Sequence, residues 1–206
     1  MVRLACHPDD LVVEIDPGTI VRLGKIHEDS DGVDPSLVVT TEGTFTVGDS
    51  IRTIMARIGA ALDLCEYDDP STGRPAAFAL GRIAAMTKPV EERGEGDPTL
   101  VHLSTGETLL VGESIRTLSA RLKLRAGIEV VDVDMHGTDR PAAVVPAHVA
   151  SVLRLSGPAG DEDVPRCLVV LAGGETLACC DQPDRLKRVI AEASPLADEE
   201  AVPSMS

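Results

Sequence analysis

Hydrophobic and polar positions follow nearly the same order in two stretches of this chain. VGDSIRTIMARI at 47–58 and VGESIRTLSARL at 111–122 are identical at eight of twelve positions. In both, apolar residues recur every three or four positions, the spacing of one face of an α-helix. Ser50 and Ser114, each preceded by an acid, stand where side chains cap the free N–H groups of a helix start. The pattern predicts two capped helices.

A hairpin is predicted in front of each helix. LVVTTEGT at 37–44 and VHLSTGET at 101–108 lie upstream in the same register. A third copy, LVVLAGGETLACCDQPDRLKRVI at 168–190, aligns with LVHLSTGETLLVGESIRTLSARL at 100–122 without a gap. The glycines in these turns supply the positive φ that a tight hairpin requires. We therefore expect three hairpins, each leading into a helix.

The third helix has its own start signals. Asp181–Gln182 takes the place of the acid–serine pairs, and Pro183 falls at the first helical position, where proline is favoured. The repeated arginines at 52 and 116, and at 57 and 121, flank the apolar stripe. We expect them to pair with acids or to contact another module.

The segments before the hairpins also correspond. RPAAFALGRIAAM at 74–86 matches RPAAVVPAHVASVL at 140–153, and VEIDPGTIVRL at 13–23 is a weaker relative. Short β-type stretches, LVVEI at 11–15 and EVVDVDM at 129–135, precede them. Each predicted module therefore reads strand, strand, acidic Gly/Pro loop, hairpin, helix.

A period of about 64 to 68 residues is too long for a solenoid repeat and suits a small autonomous module. We predict modules at 1–63, 64–126 and 127–193, followed by a mobile acidic tail at 194–206. The fold class is α+β and β-rich: three antiparallel β modules, each closed by one helix. They pack either with approximate threefold pseudo-symmetry or as a chain of beads, and the short connections favour close packing.

The composition of the chain indicates which classes of partner to expect. The formal net charge is −15, and 43% of the 206 residues are hydrophobic although only 1% are aromatic. We therefore expect an aliphatic core and no nucleic-acid partner, because an acidic protein repels phosphates. An acidic surface favours solubility and basic protein partners.

The chain has no apolar run near 18 residues, and acids stand where a signal peptide needs its apolar region. We therefore predict no membrane insertion. The expected location is the cytoplasm, or a particle assembled in the cytoplasm.

Residues that could carry chemistry are scattered. The five cysteines form no CxxC pair, and no two histidines have metal-ligand spacing, so neither a disulfide framework nor a zinc site is indicated. Neighbouring Cys179 and Cys180 would point to opposite faces of a strand. His102 reads as a structural or exposed residue. We predict no catalytic, metal or cofactor site.

The acidic loops are the best candidates for an interaction. None has the DxDxDG spacing of a calcium loop, so they read as solvated loops or as sites for a basic partner. The candidate residues are Glu28, Asp29, Asp31, Asp34, Glu91, Glu92, Glu95, Asp97, Asp161, Glu162 and Asp163.

DPTLVHLSTG at 97–106, followed by VGES at 111–114, resembles the small bacterial flagellar and swarming-motility protein family. That family has a single module with an Asn-Pro, a Pro-Asp-Thr strand, an Asn-Gly turn and a Val-x-Glu-Ser helix start. Asp16–Pro17, Asp34–Pro35 and Asp97–Pro98 stand where the proline segments would be. This chain departs from the family in having three copies, longer loops and no Asn-Gly turn. The resemblance implies a β–β–β–β–α module and a role in motility.

Three hypotheses for function follow. The first is a non-enzymatic structural or assembly protein with repeated interaction surfaces, part of a larger assembly. One version is an accessory or capsid-decorating subunit of a virus-like particle. The alternative is a regulatory protein-binding module, for example in bacterial motility, which should show a pocket in one copy only. The third is an enzyme of unrecognised type, with a perturbed acid or base near the cysteines of the third copy.

Overall fold

The computed structural model of the protein describes residues 1–9, 11–26, 35–70, 72–90, 97–138, 140–156 and 164–194. Over these residues the chain is β-rich, with several antiparallel sheets and three α-helices, which confirms the predicted class. The chain divides into two compact units: unit 1 is Met1–Arg82 with Leu110–Gly112, and unit 2 is Ile83–Leu109 with Glu113–Ser206. The three module boundaries remain a prediction.

Unit 1 begins with a hairpin and continues with three strands, a helix and a second hairpin. Its elements are β1 (Val2–Ala5), β2 (Val12–Ile15), β3 (Ile20–Lys25), β4 (Ser36–Thr40), β5 (Thr44–Val47), α1 (Ile51–Ile58), β6 (Leu64–Asp69) and β7 (Arg74–Ala79). Short 3₁₀ turns lie at Pro17–Thr19, Gly59–Ala61 and Leu80–Arg82. The strands form a two-stranded sheet, β1-β2, and a five-stranded sheet in the order β5-β4-β3-β7-β6.

Unit 2 has a similar succession of elements. They are β8 (Ile83–Thr87), β9 (Thr99–Leu103), β10 (Thr108–Val111, whose last two residues are assigned to unit 1), α2 (Ile115–Arg121), β11 (Val131–Asp134), β12 (Pro141–Val144), β13 (Val149–Arg154), β14 (Cys167–Leu171), β15 (Thr176–Cys179) and α3 (Pro183–Glu192). A π turn at Leu122–Ala126 follows α2, and a 3₁₀ turn at Pro146–His148 precedes β13. The sheets have the orders β10-β9-β8-β12-β11 and β13-β14-β15.

Both five-stranded sheets are completed by a hairpin that comes later in the chain. In unit 1, β7 pairs with β3, with Leu23 opposite Ala77. In unit 2, β12 pairs with β8, with Met86 opposite Ala143. We call these strand pairs the first junction and the second junction. All four of these side chains are fully buried, so each junction combines ladder hydrogen bonds with apolar packing.

The helices bury the predicted apolar stripes. Ile51, Ile54 and Ile58 of α1 lie in one core with Leu4 of β1 and Ala77 of β7. Burial of each of the three isoleucine side chains contributes about 1.5–3 kcal/mol to the free energy of folding. Leu186 and Ile190 of α3 belong to a corresponding core in unit 2; its other members include Val152, Cys167, Val169 and Cys179.

Two details of the predicted module are wrong. Over the described residues, five strands, not four, come before α1, five lie between α1 and α2, and five lie between α2 and α3. The stretch at 11–15 is the second strand of its hairpin, whereas the stretch at 129–135 is the first, so they do not correspond. In addition, β4 and β9 share one burial pattern 63 residues apart, whereas β5 and β10 lie 64 apart. The second turn is one residue longer, which breaks the register assumed at 37–44.

Candidate interaction surface

The predicted acidic loops lie almost wholly outside the described residues. This applies to the ten candidates at Glu28, Asp29, Asp31, Asp34, Glu91, Glu92, Glu95, Asp161, Glu162 and Asp163. Only Asp97 is described, and its carboxylate accepts a hydrogen bond from Lys88. Lys88 also donates to the carbonyl oxygens of Asp97 and Pro98 at 3.0 Å each. Asp97 therefore holds the entry to β9, and its carboxylate is already engaged.

The helix starts bear out two of the three predicted caps. Ser50 accepts a hydrogen bond from the N–H of Thr53, and Ser114 accepts one from Thr117, at 3.2 and 3.1 Å. Gln182, at the start of α3, makes no such bond through its side chain. This part of the prediction is wrong because Pro183 already removes one free N–H group at this end.

The acids beside the caps have different partners. Asp49 accepts a hydrogen bond from Arg57 at 2.7 Å, and Glu113 forms an ion pair with Arg121, with 2.8 Å between Oε2 and Nη2. For Arg57 and Arg121, these pairs confirm the expectation that the repeated arginines pair with acids; for Arg52 and Arg116 it stays a prediction. In α3, Val189 occupies the position that corresponds to Arg57 of α1 and Arg121 of α2. There, Asp181 accepts a hydrogen bond from the backbone N–H of Asp134 at 2.8 Å, so it ties β11 to the start of α3.

An arginine locks each junction. Arg74 donates from Nη1 to the carbonyl oxygen of Ile26 at 2.5 Å, just beyond β3. Arg140 donates to the carbonyl oxygen of Pro89, just beyond β8, and to that of Val90 at 3.1 Å. Hydrogen bonds from a charged donor contribute about 1.5–3 kcal/mol. The RPAA motif noticed in the sequence therefore marks the point where a hairpin is fastened to an earlier sheet.

A cleft of about 920 Å³ adjoins the second junction, inside unit 2. Its lining combines the exposed face of α2 with the β11–β12 hairpin, and it carries both signs of charge. The lining residues are Lys88, Asp97, Ser114, Ile115, Arg116, Ser119, Val130, Asp132, Val133, Asp134, Met135, Thr138, Arg140, Pro141, Ala142 and Cys180. A smaller cleft of about 300 Å³ lies at the first junction and includes Lys25, Thr72 and Arg74. Each junction therefore has a cleft beside its arginine, Arg140 in unit 2 and Arg74 in unit 1.

His102 forms a network that sequence reasoning did not find. Its Nδ1 donates to Glu175 Oε2 at 2.8 Å, and its Nε2 lies 2.9 Å from the hydroxyl of Thr87. Thr108 donates to the other oxygen of Glu175 at 2.9 Å. The sequence held no signal for this, because His102 and Glu175 are 73 positions apart. A hydroxyl, an imidazole and a carboxylate in series are the parts of a hydrolytic triad, but Thr87 is only 8% exposed. The network therefore fastens β8 and β9 to the turn before β15.

The same turn touches another turn through backbone alone. A Cβ added to Gly173 would lie 2.5 Å from the backbone N of Gly106. A Cβ added to Gly106 would lie 2.9 Å from the carbonyl oxygen of Gly173, and Gly106 also has a positive φ of 87°. Both positions therefore require glycine.

The two buried cysteines of unit 2, Cys167 and Cys179, are poor nucleophiles. Cys167 and Cys179 face each other across β14 and β15, and both are fully buried. Burial, with the nearby thiol of Cys167, raises the pKa of Cys179 to about 12. Burial also raises the pKa of Cys167. The neutral thiol is favoured, so these residues behave as small apolar side chains. All five cysteines of the chain lie in the described ranges, and they are thiols rather than disulfides.

Within the described ranges, no group of three or more His, Cys, Asp and Glu side chains is placed to hold a metal ion. Of the helices in the described part of the chain, none has the length and apolar character needed to cross a bilayer.

Comparison of the chain with known protein families, characterised proteins and solved structures gives no match. The resemblance to the motility family therefore remains a prediction, and the junctions and the cleft are the features of the structure that bear on function.

Proposed function

We propose that this chain is a non-enzymatic assembly protein built from three copies of one repeat. Each repeat consists of a hairpin, a 3₁₀ turn, three antiparallel strands and a helix. The hairpins are β1–β2, β6–β7 and β11–β12, and the strand triplets are β3–β5, β8–β10 and β13–β15. Both arrangements expected from the sequence, pseudo-threefold packing and a chain of beads, stay part of the proposal.

The observation that supports the proposal most is the construction of the junctions. At each one, the hairpin of one repeat completes the sheet of the repeat before it, in the orders β5-β4-β3-β7-β6 and β10-β9-β8-β12-β11. The interface between repeats is thus strand addition, a common mode of protein recognition that takes its affinity from main-chain hydrogen bonds. A module that leaves its sheet to be finished by another module is suited to assembly.

The expected partners are other protein subunits, with no nucleic acid and no membrane insertion. The proposed location is the cytoplasm, or a particle assembled there. In the narrower version the particle is virus-like, and the chain is an accessory subunit that decorates its surface. The net charge of −15 supports a basic protein surface as the neighbour.

Native purification from the source tests the proposal. Particle mass and co-purifying proteins are measured together on the same fraction. Recovery of the chain in fixed stoichiometry within a large particle of defined mass supports assembly, and the composition of that particle decides the virus-like version. Recovery as a free monomer without a stoichiometric partner overturns the proposal.

The cleft beside α2 favours a second candidate, a regulatory protein-binding module. It is about three times larger than its counterpart in unit 1, about 920 against 300 Å³, and Arg116 and Asp132 give it both charges. If this role is correct, reversing the charge of Arg116 removes one co-purifying protein and leaves the rest of the complex intact. A complex whose composition does not change would exclude the cleft as a binding site.

A further inference from the structure

One strand edge in each unit lacks the neighbour that its counterparts have. Among the described residues, β2 is paired with β1 alone, whereas β7 and β12 each have a second partner. In the same part of the chain, β13 is paired with β14 alone, whereas β3 and β8 each have a second partner. If the chain holds three repeats, as proposed above, β2 and β13 are the two halves of one more junction.

Side chains on the strands that lack a second partner are more exposed than their counterparts on the paired strands. Ala150 of β13 is exposed, whereas Val21 of β3 and Ala84 of β8, at the same position, are fully buried. Leu153 of β13 is 49% exposed; Leu11, just before β2, and Val12, the first residue of β2, are 68% and 67% exposed. Both edges therefore present apolar side chains beside free ladder positions, which is the surface that another strand would cover.

The register of the existing junctions gives the register of the missing one. Leu23 lies opposite Ala77, and Met86 lies opposite Ala143. Counting from the 3₁₀ turns, the corresponding residues at the free edges are Val152 and Glu14. Glutamate therefore stands where the other two hairpins have a fully buried alanine.

The third helix carries the opposite charge at the matching place. Met55 of α1 packs against the core that includes Ala77. Ser119 holds the same position in α2 and lines the cleft beside the second junction. At this position α3 has Lys187, which is exposed. The one hairpin with an acid at the buried position thus corresponds to the one helix with a base there.

We propose that copies of this chain join head to tail, with β13 of one copy pairing antiparallel with β2 of the next. Glu14 of the second copy then meets Lys187 of the first. Glu14 already accepts from Arg3 through Oε1 at 2.6 Å, and its other oxygen can accept from the lysine. A contact that joins unlike surfaces closes into a ring or grows into a filament. This inference deepens the proposed assembly role and rests on it.

Sedimentation velocity of the purified chain over a range of concentrations tests the inference. The expected result is a mass that rises with concentration at low salt and falls at high salt, because the junction contains a charge pair. A monomer at every concentration and salt level overturns it.

Charge exchange identifies the surface. Glu14→Lys and Lys187→Glu should each weaken self-association by about tenfold or more, because like charges then face each other. An equimolar mixture of the two variants should associate again, since every contact between unlike variants pairs a lysine with a glutamate. The mixture also excludes misfolding as the cause of the loss. Single variants that associate like the parent chain overturn the proposal.

Matched controls change the same charges elsewhere. Glu66→Lys on β6 and Arg52→Glu on α1 alter exposed residues that belong to neither β2 nor β13 and should leave self-association unchanged. A carbodiimide cross-link between Glu14 and Lys187, formed in a mixture of ¹⁴N and ¹⁵N chains, should join peptides of unlike label. Linked peptides of like label alone would contradict pairing between copies.

The inference and the proposed function can fail separately. A purified chain that is monomeric, together with a native particle containing other proteins, rejects head-to-tail pairing and keeps the assembly role. Self-association in vitro that depends on Glu14 and Lys187, with only free monomer in native extracts, rejects the assembly role.

Discussion

The two units close the same kind of hairpin in different ways. In unit 1, the hydroxyl of Thr40 donates to the carbonyl oxygen of Gly43 and accepts from the N–H groups of Glu42 and Gly43, so the turn is satisfied locally. In unit 2, the turns containing Gly106 and Gly173 bear on each other, and Glu175 beside them is held by His102. A turn that closes on itself tolerates change, whereas a turn that supports another turn does not.

The largest expected effect is at Gly173. Gly173→Ala should lower the free energy of unfolding by about 3 kcal/mol, because the new methyl group meets backbone that has no rotamer to move. Gly43→Ala is the control. Among the described residues, no heavy atom beyond its two chain neighbours lies within 4 Å of its Cβ position, so the change should be within about 0.5 kcal/mol. Urea unfolding of both variants checks the pair, and equal losses would contradict the contact between turns.

Unit 2 should also be the more sensitive to alkali. Its buried Cys179 has a pKa raised from 9.0 to about 12, whereas Val47 occupies this place in unit 1. Because the folded state holds its proton while the unfolded state loses it, stability falls as the pH rises from 9 towards 12. Each pH unit costs at most about 1.4 kcal/mol, or about 2.5 kcal/mol between about pH 9 and about pH 11.

Cys179→Val, which gives unit 2 the residue of unit 1, should flatten this decline. Thermal unfolding at a series of pH values measures it. If parent and variant lose stability in parallel above about pH 9, the thiol is not the cause.

The arginine locks allow a direct comparison of the junctions. Arg74→Met and Arg140→Met keep the stem of the side chain and remove the bonds to the carbonyl oxygens, so each should cost about 2 kcal/mol. Arg140 bonds two carbonyl oxygens and Arg74 bonds one, so the second junction should lose more. Hydrogen exchange of β7 and β12 amides localises the effect. Protection that drops equally in all strands would show that the arginines do not act at the junctions.

The fastening of His102 to Glu175 should contribute about 1 kcal/mol. His102→Val copies Val39, which has the same place in β4, and Glu175→Gln removes the carboxylate but keeps the shape. A double-mutant cycle by urea unfolding should give a coupling energy of about 1 kcal/mol. Additive losses would show that the two residues stabilise unit 2 independently.

The smallest effect has the opposite sign. Thr99 and Ser36 are buried at matching places in β9 and β4, and their hydroxyls have no hydrogen-bond partner among the described residues. Thr99→Val and Ser36→Ala should therefore raise the free energy of unfolding by about 0.5 kcal/mol. A loss of stability in both variants would indicate that these hydroxyls are satisfied in solution.

The sequence predicted what depends on neighbouring residues. Helix starts at Ser50 and Ser114, the stripe from Ile51 to Ile58, and the Gly-containing turns all follow from local spacing. The pairing of β7 with β3 could not be predicted, because which strand completes a sheet depends on tertiary packing. The bond from His102 to Glu175 has the same origin. The predicted interaction residues gave little, since only Asp97 lies among the described residues, and it is engaged with Lys88.

Because of the junctions, the segment that a gene duplication would copy differs from the segment that can fold stably. A duplicated gene segment would end near residue 63, but a fragment cut there lacks β6 and β7, so β3 keeps an open edge and Leu23 loses its cover. A fragment ending at Arg82 retains both strands and the lock formed by Arg74. Recombination at the boundaries of the repeat would therefore exchange hairpins between sheets. Each exchanged hairpin would then have to pack against the core of a repeat other than its own.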